Sequence, residues 1–423
     1  MESDLRGGAN PEPPSNVNLW TRDFTLVTFA TALGAIGEIA GEFALSFFVF
    51  DETGSTLAAA LVLAIQLFPR VFVPLAISPI MDRLPRKLFL VAGDIVCGIS
   101  YALLGLWLYF FEFSYISYLV ISLVLACLQS VDSLAWTSIY PSVIPEGAEQ
   151  KGFAISSMLF TVLSMVMAPV AAILLDAIGV AWILIIQGGL AICAALIENL
   201  IHVADKPRED VGEEPYTISA WADDLRETGR YLRDEDGLRS IMGYMAISNG
   251  VGTGYSPILV AFFRTAPGFT VAMYSLFSVV SSAGYSVGSA VQYRFDVPRE
   301  KRLKTCFLVY QFYDLMDCLL LWLPYPLMLV NRALCGFAGA NSFILRNSAM
   351  QRYIPERMRS RVNAFGDVLM MAVGSVMSLF IGFMGDMVDY RWCITLCGAI
   401  SLVASWILVW RRRHVVNEVF LAS

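Results

Sequence analysis

Twelve long apolar runs, parted by short polar breaks, leave this chain few folds to choose from. They cover about residues 23–49, 57–80, 88–111, 116–140, 153–178 and 181–203, and then 240–263, 271–292, 305–323, 326–348, 362–385 and 392–410. A helix needs about 20 apolar residues to cross the hydrocarbon core of a bilayer, and the runs meet or approach that length. They are too long and too evenly apolar for the alternating strands of a barrel. Backbone polar groups in lipid must be satisfied within their own segment, so helices follow. Composition closes the alternative of a soluble enzyme on an anchor. The chain is 57% hydrophobic and 15% charged, against about 45–50% and 25% in soluble domains. The expected fold is an all-α, multi-pass membrane protein of twelve transmembrane helices, with the lipid bilayer as its solvent.

The polar breaks divide the chain into an N-terminal tail (1–22), a first six-helix bundle (23–203), a linker (204–239), a second six-helix bundle (240–410) and a C-terminal tail (411–423). Of the 29 Lys and Arg, all but Arg70, Arg264, Arg332, Arg346 and Arg391 fall on one side if the N-terminus is cytoplasmic. Basic residues mark the cytoplasmic side, so both termini are expected there, in the cell membrane and by expectation a bacterial inner membrane. Within the linker, Ile218, Trp221, Leu225 and Leu232 share one helical face beside charged residues, which fits either an amphipathic helix at the inner membrane surface or a solvated tether between the halves. The net charge of −7 gives no reason to expect nucleic acid as a partner. All eight cysteines lie inside apolar stretches and read as packing residues rather than a metal site or disulfide framework, and no cofactor is expected. A monomer is expected.

An internal repeat organises the two halves. A shift of 210 residues carries Ile144-Pro145-Glu146 onto Ile354-Pro355-Glu356, Ala154 onto Ala364, Asp176 onto Asp386, Trp182 onto Trp392 and Gly188 onto Gly398. Chance similarity between apolar helices would not preserve Asp and Trp together. Six helices per half is an even number, so the halves enter the membrane the same way. Such parallel pseudo-repeats suit a transporter whose substrate path lies between them.

The segment Ser78-Pro-Ile-Met-Asp82-Arg83-Leu-Pro85-Arg86-Lys87 resembles the signature loop between helices two and three of the major facilitator superfamily, with Ser78 and Pro85 standing where glycines are usual. Three further stretches are similar to its macrolide-efflux and enterobactin-exporter branch. They are Ala44 to Phe50 followed by Thr53-Gly54-Ser55, Asp94 at the start of helix three, and Ala168-Pro169 through Asp176 to Gly179, where Ala168 and Ala172 replace motif glycines. The resemblance implies the major facilitator fold and alternating access, with proton-driven export of amphipathic compounds. It also implies a cytoplasmic gate at Asp82, Arg83, Arg86 and Asp94, whose charge contacts latch the halves and break when the inside opens.

Ionisable side chains within spans are costly, about 2.5–3.5 kcal/mol each on insertion scales, and usually face a bundle interior. Glu38 and Glu42 stack one turn apart on helix one. Carboxylates that close repel when both are ionised, which makes them candidates to bind and release protons, with Arg70 as a possible static partner instead. Asp314 and Asp317 repeat the logic on helix nine, with Asp132 and Arg332 as possible partners, so either a proton site or a packing ion pair is open there. Asp314 also lies 220 residues beyond Asp94, the matching place in the second half. Glu38, Glu42, Arg70, Asp132, Asp314, Asp317 and Arg332 are therefore the expected coupling and substrate cavity.

With only His202 and His414, both at span ends, and no nucleophile, metal or phosphate-loop motif, the chain is not read as an enzyme. The expected function is secondary transport of a small-molecule substrate against protons, by efflux. A proton-coupled importer or a non-transporting sensor on the same fold are the alternatives.

Overall fold

A computed structural model describes residues 19–81, 85–145, 148–202, 218–294 and 297–421. Every element among them is helical. The first half holds α1 (Arg22–Thr53), α2 (Thr56–Met81), α3 (Arg86–Phe110), α4 (Tyr115–Val143) and α5 (Glu149–Glu198). After α6 (Ile218–Asp234), the second half holds α7 (Asp236–Thr265), α8 (Val271–Arg294), α9 (Arg299–Leu319), α10 (Tyr325–Tyr353), α11 (Glu356–Met387) and α12 (Tyr390–Ala404), followed by α13 (Arg413–Leu421). The end of the molecule where α1, α3 and α5 begin carries most of the basic residues and is called the basic end below. The opposite end is the far end.

Local chemistry sets the helix boundaries. Thr21 caps α1 by accepting from the Phe24 N–H at 3.2 Å, and Gly54 ends it in the left-handed conformation (φ 63°), donating to the Phe50 carbonyl at 2.8 Å. Two expected spans, 153–178 and 181–203, are continuous in α5 except at Gly179, whose φ of 76° and ψ of 170° suit a residue without a Cβ. There the chain folds back, so that Met167 and Ala171 of the first arm pack with Ile183 of the second.

By length and apolarity alone eight helices among the described residues qualify as membrane-crossing, and α5 contributes two passes to one of them. Helices α7, α8 and α9 fall short where they carry the polar wall of a cavity, Ser248, Asn249 and Tyr255, then Ser281 and Ser282, then Tyr310, Asp314 and Asp317, and α9 also because it begins with Arg299, Lys301, Arg302 and Lys304. Large apolar side chains cover the outside, including Phe110 at 70% and Ile116 at 75% exposed. A soluble monomer does not leave such a surface in water, whereas lipid solvates it.

The repeat is visible in the packing. Ile144 and Ile354 end α4 and α10 with nearly the same backbone, φ/ψ of −83°/128° and −71°/125°. Gly188 lies so close to α3 that a Cβ on it would sit 2.4 Å from the Gly98 carbonyl oxygen, and one on Gly398 would sit 2.6 Å from Cys318 Sγ on α9. Small residues permit this approach of backbones in a membrane bundle. The 220-residue offset relating Gly98 to Cys318 also relates Asp94 to Asp314. At the far end Trp182 meets Tyr109, and its repeat mate Trp392 meets Trp322, in edge contacts with ring centroids 6.0 and 5.2 Å apart. Aromatic residues favour membrane interfaces.

Two polar segments are more ordered than linker and tail imply. Helix α6 packs against α11 and α7, burying Thr228 and Leu232, so it is docked on the second half. The side chains of Trp221 and Leu225 lie outside the described residues. Residues 411–423, read from sequence as a tail, contain α13, in which Val416, Val419 and Phe420 recur at helical spacing and are buried against α7 and α9. Gly237 makes room for it, since a Cβ there would lie 2.5 Å from the Val415 carbonyl oxygen.

Helix α2 lies along α11, α5 along α8, and α1 touches α7. The polar contacts that join the halves among the described residues cluster at the far end. Asp386 at the end of α11 sits on the N-terminus of α2, accepting from Ser55 Oγ (2.5 Å), the Thr56 N–H (2.6 Å), Thr56 Oγ1 (2.8 Å) and the Leu57 N–H (3.3 Å). An acid there satisfies orphan amides and complements the helix dipole. Arg264 on α7 grips Asp51 on α1 with two bonds of 2.7 Å. Between these contacts Phe47, Phe50 and Ala172 pack on Val260, Ala261 and Val271, so the far end is shut. Asp176, the repeat mate of Asp386, is exposed, so the device is not duplicated.

Candidate functional site

Away from the shut end each half contains a chamber. In the first half, α1, α3, α4 and the second arm of α5 enclose about 380 Å³. Four carboxylates line it: Glu38, Asp94, Asp132 and Glu198, one from each of those elements. Gly93 admits the Asp132 head, for a Cβ on that residue would fall 2.7 Å from Asp132 Oδ1. Asp94 stands beside Glu198, while Asp132 Oδ1 and Glu198 Oε2 are buried with no hydrogen-bond partner. Orphaned buried oxygens of this kind are costly, and a proton or a cationic group relieves the cost. Among the described residues no set of His, Cys, Asp and Glu has the arrangement of a metal centre.

Glu38 and Glu42 share a face of α1 yet open onto different spaces. Glu38 lines the acidic chamber and also a crevice of about 470 Å³ with Arg70, Gln129 and Ser133. Glu42 lines another space of about 330 Å³, which Arg70 and Gln129 also line. Arg70 is exposed, and among the described residues no ion pair joins it to either glutamate. The static Arg70 pair open in the sequence is thus absent here.

Asp94 was grouped by resemblance with the gate loop. The structure places it about two turns inside α3, among the other acids of the chamber. Asp82 and Arg83 lie outside the described residues. Arg86 begins α3, and its side chain lies outside them too.

The second chamber, of about 920 Å³, is walled by α7, α8, α9, α10 and α11, with Phe160, Thr161 and Ser164 of α5 closing it from the first half. Phe160 lines both chambers. Asp314 and Asp317 both face this space and differ in their partners. Asn331 donates to the Met316 carbonyl at 2.8 Å, which sets the start of α10 beside that turn of α9, and Arg332 forms a buried ion pair with Asp317. Asp314, one turn farther from the α9/α10 connection, is 2% exposed and its Oδ2 has no hydrogen-bond partner. The partner of Arg332 is therefore Asp317, not the Asp314 that spacing equally allowed.

Several residues of these chambers were not singled out by sequence reasoning. Glu198 and Arg346 were visible as ionisable groups within spans, which was their signal. Gln187, buried against Gly37 and Gly41 of α1, and the paired rings of Tyr244 and Tyr310, 4.5 Å between centroids, carried none that separates them from ordinary packing residues.

The family model of the Major Facilitator Superfamily matches residues 25–312 and 245–420. No curated protein sequence matches significantly. Among solved structures, the nucleoside transporter NupG aligns at 12% identity with a TM-score of 0.71, covering 92% of this chain and 99% of its own. A POT family transporter in complex with 5-aminolevulinic acid aligns at 10% identity and TM-score 0.72, with 93% and 96% covered. A bacterial homolog of the human lysosomal transporter Spinster, in an inward-facing and unoccupied conformation, aligns at 16% identity and TM-score 0.64, with 94% and 96% covered. At these identities the likeness is one of fold, and together with a family match that runs along nearly the whole sequence it makes this chain a multi-pass membrane protein belonging to the major facilitator superfamily.

Proposed function

We propose that the protein is a proton-coupled exporter of amphipathic small molecules, working by alternating access as a monomer in the cell membrane of a bacterium, with its basic end and both termini in the cytoplasm. The observation that carries this reading is the chamber of four carboxylates with orphaned oxygens, which shares the lining residue Phe160 with a larger chamber walled by tyrosines, serines and apolar side chains. The acids supply sites that can take and release protons, and the larger space supplies a site for a greasy cargo. With the basic end inside, the far-end closure corresponds to the inward-facing member of the cycle. The branch resemblance at Thr53-Gly54-Ser55 and Asp94 supports export over import.

Everted membrane vesicles carrying the protein are expected to accumulate a fluorescent amphipathic dye when their interior is made acidic, and to release it when nigericin collapses the gradient. Accumulation by right-side-out vesicles under an inward proton gradient would make the protein an importer. Gradient-independent dye levels in both preparations would leave a non-transporting sensor and sink the proposal.

Alternating access requires the far-end contacts to break. Asp386→Ala removes the side chain that caps α2 in the other half, and losing such a cap costs about 0.5–2 kcal/mol. The outward-open population is expected to rise about 2- to 30-fold, read as longer spin-label distances between Glu52→Cys and Met387→Cys after removal of the exposed Cys193. An unchanged distance distribution would assign Asp386 no part in the closure.

A further inference from the structure

We propose that the larger chamber selects cargo carrying an anionic head, a carboxylate or similar planar oxyanion, on an aromatic or apolar body, and that Arg346 receives the head. This deepens the transport reading above and rests on it for the word cargo. Four charged side chains line the space: Asp314, Asp317, Arg346 and Asp367. Asp317 is already neutralised by Arg332. Arg346 is different. Its Nη1 reaches the Tyr310 hydroxyl only at 3.5 Å, its guanidinium stands 5.9 Å from the centroid of the Phe343 ring, and its Nε is buried with no hydrogen-bond partner. No carboxylate of the described residues forms an ion pair with it.

A guanidinium has five N–H donors in a fixed fork, and a neutral hydroxyl at long range answers one of them. The group cannot shed its charge. An unpaired cation in a low-dielectric wall is expensive, so what is missing is an acceptor with two oxygens side by side, which a carboxylate supplies in two parallel bonds. Asp314 and Asp367, the other charges on the wall without an ion-pair partner, do not make an equal claim for a cationic head, Asp367 being exposed. A carboxyl can relieve its isolation by taking a proton, and Ser401 and Tyr244 already stand beside Asp314. Around the site, Tyr244, Tyr285, Phe343 and Met370, with Phe160 from the first half, provide aromatic and polarizable surface for the body of such a molecule.

The test is binding to purified full-length protein in detergent, read as the shift of the thermal unfolding midpoint with concentration of 2-naphthoate, 2-naphthamide or 2-naphthylmethylamine. The naphthoate is expected to give a saturable stabilisation that the amide and amine, with the same ring system and no anionic head, do not. Arg346→Gln should weaken the naphthoate response at least tenfold, and Arg346→Lys, which keeps the charge without the fork, should restore part of it. An amide or amine response equal to that of naphthoate overturns the proposal, as does an unaltered response in Arg346→Gln or no saturable response in the wild type. If Arg346→Gln does not fold, the comparison of the three probes on the wild type still decides. Because no gradient is present, head-group selection with failed vesicle export would sink the exporter reading and leave this one standing.

Discussion

Glu38→Gln is expected to abolish proton-driven accumulation, at least a hundredfold below wild type, while exchange of labelled for unlabelled cargo without a gradient continues. Glu42→Gln, one turn away on the same helix, is expected to keep most of the driven transport. The difference follows from where the two carboxylates open. Glu38 shares a chamber with Asp94, Asp132 and Glu198, so a proton held there is felt by three further acids. Glu42 lines another space. Glutamine preserves size and hydrogen bonding and cannot carry the proton, so the variant should still bind, rock and exchange. Reconstituted vesicles measured once with an imposed pH gradient and once in exchange mode give both readings. Full coupling in Glu38→Gln would remove the acidic chamber from the mechanism. Equal loss in both variants would mean that the one-turn spacing, rather than the chamber, is what matters.

The parts of this molecule that lipid dictates could be read from the sequence. Apolar runs of membrane length, the basic bias of one set of connections and the 210-residue repeat each reflect a constraint that acts on single residues wherever they stand, and together they gave the twelve passes and the paired halves. What could not be read is how each helix is turned about its axis. Asp94 lies close in sequence to the Asp82-Arg83 loop, and only the rotation of α3 aims it at Glu198 and Asp132. Spacing made Asp314 and Asp317 equal candidates for Arg332. The choice was settled by the register of α10 on α9, which the bond from Asn331 to the Met316 carbonyl fixes. The last residues looked like a tail because nine helical residues cannot span a bilayer, yet the apolar face of Val416, Val419 and Phe420 was there to be seen. Polar residues that weaken α7, α8 and α9 as hydropathy signals line the larger chamber. In this chain, the spans hardest to recognise as membrane helices are among those that wall the larger chamber.

Removing one partner of the buried Asp317–Arg332 pair is expected to be the most damaging single change to stability in the second half. Both residues are about 95% or more buried, and the arginine also has Tyr255, Tyr313, Cys335, the Asn331 amide oxygen at 3.3 Å and the Phe277 ring as neighbours. Arg332→Ala would strand an uncompensated carboxylate there, a change that typically costs roughly 3–5 kcal/mol. Replacing both partners, Asp317→Val with Arg332→Met, removes two desolvated charges at once and is expected to recover most or all of that loss, because the Coulombic gain of a buried pair hardly exceeds the cost of taking its members out of water. Thermal unfolding of the purified single and double variants in detergent measures this directly. Transport by the double variant then assigns the pair. Retained gradient-driven flux would make it a fixed brace between α9 and α10, leaving Asp314 and Asp367 as the acids of that chamber free to titrate. Flux lost from a double variant as stable as the wild type would instead show that the pair itself opens during the cycle, since two neutral side chains can hold the helices together but cannot exchange partners with a proton or an anionic cargo.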